Sequence, residues 1–267
     1  MEWESTITQV APNHLVTKGY RQEDLIGNVP FSHVFFLLLK GELPTSQEGL
    51  MIDAILTACI DHGVTPPTAM TSRLIASGGV PMPTAIAGGL LSIGDAHGGA
   101  IEKGAKFFQD GVRILHETKE SIHTVAAQLV NDARENKQRI LGFGHRVHTK
   151  DPRTTRLFLL AQEFGIAGDH VALARAIETE LKDKTGRTLP LNVDGAIAAI
   201  ISDMGFDWRL GKSFFLMGRV AGLTAHVYEE QTKEKPMRKM ATVNCSYIGP
   251  AERDLPQRYL HKNNKEE

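Results

Sequence analysis

The 267-residue sequence is poor in several features that would define a protein class at once. It has two cysteines, Cys59 and Cys245, and no CxxC pair, so we expect neither a disulfide framework nor a zinc knuckle. Its longest apolar run, residues 34–39, is far too short to span a bilayer. The first ten residues, MEWESTITQV, contain neither a basic leader nor an apolar core, and we therefore expect no signal peptide and a cytoplasmic location.

An excess of one sign of charge is also missing. The 30 lysines and arginines nearly balance the 31 aspartates and glutamates, so no net field would attract nucleic acid or an anionic membrane. Any anion that this protein recognises must therefore be bound by a few placed cations. The contents of 42% hydrophobic and 23% charged residues are typical of a packed domain with a polar surface.

The periodicities that are present are mostly helical, and they predict a mainly α fold. A short hairpin is predicted within residues 5–20, around Pro12-Asn13. The longer helices are predicted at about 31–40, 101–117, 121–136, 153–164, 170–182 and 211–230.

Several residues predict where helices end and which helices are buried. Gly41 should be a C-cap, and Thr45 or Ser46 should cap the helix that follows. Segments 67–94 and 195–202 carry almost no charge, which predicts helices buried in the core.

The stretch GFGHRVHTKDPR, residues 142–153, is the leading candidate for a functional loop. Its glycines let the backbone approach a ligand, and it presents His145. Asp151 should cap a helix with proline at its first position, which puts Arg153 in the first turn. A cation there opposes the helix dipole, which favours an anionic ligand as its partner. Three alternatives stay open: a histidine packed in a turn, an arginine merely at the surface, and a metal site that uses His148.

Two further residues lie in settings that suggest chemistry. His97 lies in GDAHGGA, residues 94–100, where glycines again allow a close approach, although it could simply pack between helices. This stretch does not match GxGxxG and follows no clear strand, so we exclude a dinucleotide fingerprint. Asp194 precedes the uncharged segment, where it could be an N-cap, a desolvated carboxyl group with a raised pKa, or both.

Arg219 is the most unusual charge, because its helix is otherwise apolar over residues 213–225. A guanidinium there needs either a buried acid or an anionic ligand. Gly218 and Gly222, one turn apart, should let another helix lie close. His62 is a weaker candidate, and the remaining histidines, His170 and His226 among them, are interpreted as structural or surface residues.

Four segments occur in an order that resembles the citrate synthase and citryl-CoA lyase superfamily. They are GDAHGGA at 94–100, GFGHRV with DPR at 142–153, LNVDG at 191–195 and GRVAG at 218–222. The similarity runs over most of the chain, from about Gly27 to about Gly249. Within the superfamily the sequence looks most like stand-alone citryl-CoA lyases and the lyase module of ATP-citrate lyase. It is shorter than citrate synthases, and Gly195 follows its aspartate where they usually carry an aromatic residue.

The resemblance implies a mainly helical homodimer, or a higher homo-oligomer, in which a large and a small domain close over the substrates. By position, residues 1–100 and 200–267 would form the discontinuous large domain, and residues 101–199 would form the small, CoA-side domain. No metal and no separate cofactor would be required, because coenzyme A enters as part of the substrate. The expected partners are acyl-CoA and di- or tricarboxylate molecules, with a separate citryl-CoA-forming ligase as a further possibility.

The resemblance also implies roles for the candidate residues. His97 would polarise the thioester oxygen, Asp194 would exchange a proton with the acetyl carbon, and His145 would serve the oxygen of the four-carbon unit. The residues that would hold carboxylates are His62, Arg153, Arg219 and, reaching across from a partner subunit, Arg238. The residues that would lie against coenzyme A are Leu141, Gly142, Phe143, Gly144 and Asn192.

The implied reaction is cleavage of (3S)-citryl-CoA to acetyl-CoA and oxaloacetate. The condensing direction stays open, because the lyase module of ATP-citrate lyase often lacks a histidine at the position of His97, on which condensing enzymes rely. A catalytically silent partner subunit is an alternative of another class. The presence of His97, His145 and Asp194 argues against it, since a silent subunit would be expected to have lost one of them.

Overall fold

The computed structural model describes residues 3–144, 149–186, 189–238 and 246–259, and within these ranges the chain is mainly helical, as predicted. The helices are α1 (Gln22–Leu25), α2 (Phe31–Lys40), α3 (Ser46–Cys59), α4 (Pro67–Ser77), α5 (Met82–Leu90), α6 (Ala100–Thr118), α7 (Ile122–Glu135), α8 (Pro152–Glu163), α9 (Asp169–Thr185), α10 (Val193–Asp203) and α11 (Gly211–Lys233), with short 3-10 helices at Trp208–Leu210 and Gln257–Tyr259. No helix in the described part of the chain is both long and apolar enough to cross a membrane.

A small antiparallel sheet precedes the helices and confirms the predicted hairpin. Strand β1 (Thr8–Ala11) pairs with β2 (His14–Thr17) in the register that sets Val10 opposite Leu15. Asn13 turns the chain between them with a φ of 58°, a conformation that asparagine tolerates better than most residues. A third strand, β3 (Tyr20–Arg21), adds to β2 and was not predicted.

The predicted helix ends are confirmed at three places. Gly41 ends α2 with a φ of 90°, and its N–H donates to the carbonyl of Leu37 at 2.8 Å. Thr45, rather than Ser46, caps α3, because its hydroxyl accepts from the N–H of Glu48 while the Glu48 carboxylate accepts from the Thr45 N–H. Asp151 caps α8, with proline at the first helical position.

Helix α10 is the centre of the core. Its residues from Gly195 to Ser202 are all buried, as the lack of charge predicted, and α6, α8 and α9 pack around it. A helix without a polar face is stable only when it is covered on all sides, so the elements that surround α10 hold its first turn in a fixed position.

The uncharged segment 67–94 differs from the prediction. It forms α4 and α5, which pack on each other and on α11, but only part of it is buried. Met70 and Leu74 on α4 are 51% and 49% exposed, and Leu91 after α5 is 86% exposed. Low charge predicted a buried pair of helices, whereas one side of the pair faces outward in this single chain.

Helices α3 and α11 cross at the predicted glycines. A Cβ at Gly218 would lie 2.5 Å from the carbonyl oxygen of Leu56, and a Cβ at Gly222 would meet the carbonyl oxygen of Ile60. Both distances are far inside van der Waals contact, so only glycine permits this approach. The end of α3 and the turn that follows it therefore lie directly on α11, beside Arg219.

Gly222→Ala should destabilise the protein by about 2–3 kcal/mol, because the added methyl group would force α3 and α11 apart. Replacing glycine with alanine in a helix interior normally stabilises a protein by about 1 kcal/mol, so the expected change here has the opposite sign. Urea denaturation followed by circular dichroism measures the change. Thr224→Ala, at an exposed position of the same helix, is the control and should stay within about 0.5 kcal/mol of the wild type. A stabilised Gly222→Ala protein would contradict the close approach.

Candidate active site

The loop at 142–144 is tied to the segment that leads into α10. Phe143 pairs with Leu191, and the N–H of Gly144 donates to the carbonyl of Pro190 at 2.7 Å. Asn192 binds the loop twice, since its backbone N–H donates to Gly142 at 3.0 Å and its side-chain amide donates to the Gly144 carbonyl at 2.9 Å. The candidate loop and the helix that carries Asp194 are therefore one unit. His145 and His148, which follow Gly144, lie outside the described residues.

Two glycines allow this unit to form. Gly142 has a φ of 89°, and a Cβ on it would lie 2.7 Å from the Cα of Gly195. A Cβ on Gly195 would in turn meet the Gly142 carbonyl oxygen and lie 2.7 Å from Cδ1 of Leu191. The glycine that follows Asp194 is thus required by the loop that packs on it. The Phe143 side chain is buried, so any ligand contact from residue 143 must come from its backbone.

Asp194 lies in the first turn of α10 but is not its N-cap, so that interpretation was wrong. The cap is Asn192, whose side-chain oxygen accepts from the N–H of Gly195 at 3.1 Å. Burial raises the pKa of Asp194 to about 6, against the opposing effect of Arg153 and Arg219. The predicted desolvated carboxyl group is confirmed, and its pKa suits a group that exchanges protons near neutral pH.

Asp151 joins the starts of α8 and α10. It is 1% exposed, and one of its oxygens accepts from the Val193 N–H at 3.2 Å. The Arg153 guanidinium binds the same carboxylate in a bidentate manner, through Nε at 3.1 Å and Nη2 at 2.9 Å. Burial would raise the pKa of Asp151, but these hydrogen bonds and the Arg153 charge lower it. Arg153 thus has an acidic partner within the chain, and its contact with a ligand carboxylate stays a prediction.

Arg219 is buried, with 2% of its surface exposed. Its Nε donates to the Cys59 carbonyl at 3.0 Å and its Nη1 donates to Oγ1 of Thr68 at 3.2 Å, while the guanidinium carbon lies 4.7 Å from the centre of the Phe215 ring. None of the ion pairs among the described residues includes Arg219, so no carboxylate in that part of the chain directly contacts its guanidinium. Burial lowers the pKa of this guanidinium, and neighbouring acidic groups, Asp61 and Asp194 among them, oppose that shift.

His97 shares its neighbours with Arg219. Its Nε2 lies 3.1 Å from Oγ1 of Thr68, and its ring meets the Phe215 ring edge-on, with 5.5 Å between centroids. Gly98 is needed here, because it has a φ of 76° and a Cβ on it would lie 2.7 Å from the Phe215 ring. The structure thus brings His97 and Arg219 together at Thr68 and Phe215, and the Arg219 charge also acts on the pKa of Asp194.

Thr68 and Phe215 were missed by the sequence interpretation. Thr68 is one of several hydroxyl residues in an uncharged segment, and nothing in its sequence neighbourhood marks it. Phe215 had a usable signal, because it lies one helical turn before Arg219 on the same face of α11, where an aromatic ring can cover a cation.

His62 and Arg238 lie at the edges of this arrangement. His62 follows α3 in an exposed turn. Arg238 binds the buried carboxylate of Glu230 through Nε at 2.6 Å and Nη2 at 2.7 Å, about three helical turns beyond Arg219. The structure therefore does not bring Arg238 to the other site residues within one chain, and its predicted reach into a partner subunit stays a prediction.

In the described part of the chain, no three or more His, Cys, Asp or Glu residues are grouped so as to hold a metal ion.

Comparison with known proteins defines the class. A sequence model of the family described as "Citrate synthase, C-terminal domain" matches residues 48–240. The citrate/2-methylcitrate synthase of Bacillus subtilis is 30% identical over 226 residues, which are 82% of this chain and 56% of that protein. The chain thus spans about half the length of the curated relatives that it matches.

Solved structures give the same class with fuller coverage. Citryl-CoA lyase from Hydrogenobacter thermophilus superposes with a TM-score of 0.87 at 45% identity, covering 96% of this chain and 98% of that one. ATP citrate lyase from Methanothrix soehngenii, in complex with citrate and coenzyme A, has a TM-score of 0.78 at 23% identity over 94% of this chain and 42% of that one, which shows a shared fold. The protein belongs to the citrate synthase family. Its fold is the mainly helical fold of that family, and it is similar over nearly its whole length to a citryl-CoA lyase.

Asp194→Asn should stabilise the ligand-free protein above about pH 6. The pKa of Asp194 is about 6 in the folded state and 3.8 ordinarily. Between these two pH values the folded state therefore binds more protons than the unfolded state, and the free energy of unfolding falls as the pH rises across this interval. Removing the charge should therefore gain up to about 3 kcal/mol at about pH 7 and nothing near about pH 3.5. Urea denaturation of both proteins across this range measures the difference. A gain that does not change with pH would contradict the raised pKa.

Proposed function

We propose that this protein is a citryl-CoA lyase that cleaves (3S)-citryl-CoA to acetyl-CoA and oxaloacetate. The observation that carries the proposal is the buried Arg219 guanidinium, which shares Thr68 with His97 and lies near a carboxyl group whose pKa is about 6. A buried cation without an ion-pair partner in the described residues suits a substrate carboxylate. The 45% identity to a citryl-CoA lyase over nearly the whole of both chains favours the lyase within the family.

The reaction needs three proton-handling groups. His145 accepts the proton of the citryl hydroxyl group, and the adjacent carbon–carbon bond breaks to give the ketone of oxaloacetate and the enolate of acetyl-CoA. His97 donates a hydrogen bond to the enolate oxygen, a kind of contact typically worth about 3 kcal/mol in the transition state. Asp194, protonated, gives its proton to the enolate carbon, for which a pKa of about 6 is well suited. No metal or redox group is needed for these steps.

Thr68 supports this role of His97. Arginine has only donors, so the Thr68 oxygen accepts from Arg219, and the hydroxyl hydrogen can then point at Nε2 of His97. In that arrangement Nε2 is an acceptor, and the imidazole carries its proton on Nδ1. We infer that in this tautomer, which Thr68 can support, Nδ1–H would be the donor to the thioester oxygen.

The remaining expectations belong to the same proposal. His62, Arg153 and Arg219 hold carboxylates, the backbone of residues 141–144 with Asn192 lies against coenzyme A, and residues 101–199 form the small domain. The ATP citrate lyase of Methanothrix soehngenii was solved with citrate and coenzyme A, which supports these ligand classes. The exposed side chains of Met70, Leu74 and Leu91 offer an apolar surface for the expected homodimer.

The reverse condensation is the second candidate. It is favoured by the 30% identity to citrate/2-methylcitrate synthase and by the presence of His97. The silent-subunit alternative has less support, because His97 contacts Thr68 beside the buried Arg219 and burial raises the pKa of Asp194 to about 6.

Purified protein should release acetyl-CoA rapidly from citryl-CoA and release almost no free thiol from acetyl-CoA plus oxaloacetate. The first assay reports cleavage, whereas the second reports condensation followed by thioester hydrolysis. Asp194→Asn should be inert in both while keeping its helical circular dichroism, since an amide cannot donate a proton to carbon. Fast thiol release from the second mixture would instead support a synthase, and a wild type inert in both assays would support the silent subunit.

Arg219→Leu should weaken oxaloacetate binding by about 100-fold, because two charge-assisted hydrogen bonds to a carboxylate are lost. The ligand-free protein should lose no more than about 1 kcal/mol of stability, since the substitution also removes the cost of a buried charge. Calorimetric titration with oxaloacetate and urea denaturation measure the two effects. Arg209→Leu, at an exposed arginine, is the surface control. Unfolding of Arg219→Leu would show that the guanidinium has a structural role.

A further inference from the structure

The turn after α3 is built around the carboxylate of Asp61. One of its oxygens accepts from the Gly63 N–H at 2.9 Å, and the backbone N–H of His62 also donates to this carboxylate. Gly63 has a φ of 74°, which completes the tight turn. The backbone on both sides of the His62 side chain is therefore held by one neighbouring acid.

A histidine from α11 holds that acid in turn. Nε2 of His226 lies 2.9 Å from Oδ1 of Asp61, and the His226 side chain is only 12% exposed. The contact depends on the helix crossing described above, since a Cβ at Gly222 would lie 3.3 Å from Cβ of Asp61. His226 lies two helical turns beyond Arg219 on the same face of α11, so one helix carries the buried cation and the residue that holds the turn.

Arg73 of α4 indicates which ring nitrogen of His226 faces Asp61 as a donor. Its Nη1 lies 3.4 Å from Nδ1 of His226, and its guanidinium is fixed by Glu229 at 2.7 Å and Glu230 at 2.8 Å. Because arginine has no acceptor, Nδ1 of His226 must face it as the acceptor, which leaves the ring proton on Nε2. The Nε2–H group then donates to Asp61, and the order Arg73, His226, Asp61 is a directed series of hydrogen bonds that ends at the His62 turn.

We propose that His226 is a positioning residue for the carboxylate end of the substrate, acting through Asp61 on the turn that carries His62. This inference rests on the proposed function, in which His62 binds a carboxylate. Loss of the Nε2 donor releases Asp61 and lets the turn take several conformations, only some of which present His62 to the substrate. Binding should suffer more than the chemical step, because His226 touches none of the reacting groups.

Two substitutions of His226 separate its two hydrogen bonds. A glutamine amide nitrogen is as many bonds from the backbone as Nε2 of histidine, so His226→Gln keeps a donor for Asp61. An asparagine side chain reaches only as far as Nδ1, so His226→Asn keeps a partner for Arg73 and loses the donor to Asp61. We expect His226→Asn to raise KM for citryl-CoA about tenfold with kcat changed by less than about threefold, and His226→Gln to stay within about threefold of the wild type in both.

Hydrogen exchange at the Gly63 amide gives a readout that needs no substrate. The amide should exchange faster in His226→Asn than in the wild type and should be protected in His226→Gln, because its acceptor Asp61 is held only in the latter. The matched control is His170→Leu, which removes another His–Asp hydrogen bond, of 2.8 Å, at the opposite end of α10 from Asp194. It should lower Tm without changing KM.

The possible results distinguish failure of the proposed function from failure of the inference about His226. A wild-type protein inert toward citryl-CoA overturns the proposed function and the inference with it. An active wild type with the same KM in His226→Asn and His226→Gln overturns the inference alone. Equal losses of kcat and Tm in both variants, with KM unchanged, also overturn it, since they would show that His226 serves only stability.

Discussion

The buried charge of Arg219 is the constraint on which the site depends. Removing a guanidinium from water costs several kcal/mol, and two hydrogen bonds with one aromatic face compensate for only part of that cost. A carboxylate supplied from outside would supply the rest, which is why an anionic ligand explains this residue better than any group in the described chain. The same charge opposes the rise in the pKa of Asp194, so under the proposed function a single cation would influence both anion binding and the acidity of the proton donor.

Close backbone contacts then determine what surrounds that charge. The crossing of α3 and α11 at Gly218 and Gly222 sets the Cys59 carbonyl and Asp61 against α11. In the same way, the close contact between Gly142 and Gly195 holds the candidate loop against the start of α10. In both places a side chain as small as one methyl group would separate the elements. Glycines in the site therefore serve the packing of the protein on itself, in addition to any approach of a ligand.

Local features could be predicted from the sequence because their causes are local. The hairpin at Asn13, the C-cap at Gly41 and the N-cap at Asp151 each depend on a few adjacent residues. The burial of α10 followed from its lack of charge, but the same argument failed for α4 and α5. Low charge does not distinguish a helix covered on all sides from one with an apolar face left outward.

The contacts that assemble the site could not be predicted in the same way. Thr68 and His97 are 29 positions apart, and Asp61 and His226 are 165 apart, so no local pattern connects them. Four motifs in the order of a known family predict the candidate residues but not the side chains that contact them. The ordinary sequence neighbours of His226 predict a structural or surface residue, whereas the glycine crossing of α3 and α11 places it against Asp61.

The direction of the reaction does not follow from the proton-handling groups. In the proposed mechanism cleavage needs Asp194 protonated and condensation needs it ionised, and a pKa of about 6 gives both forms near neutral pH. A catalyst accelerates the forward and reverse carbon–carbon step alike. A synthase differs because it must also hydrolyse the thioester of citryl-CoA, whereas a lyase must protect that thioester from water. The distinction between the two activities therefore lies in how the closed site admits water beside the thioester carbonyl, and two enzymes with the same imidazoles, carboxyl group and guanidinium can differ in this respect alone.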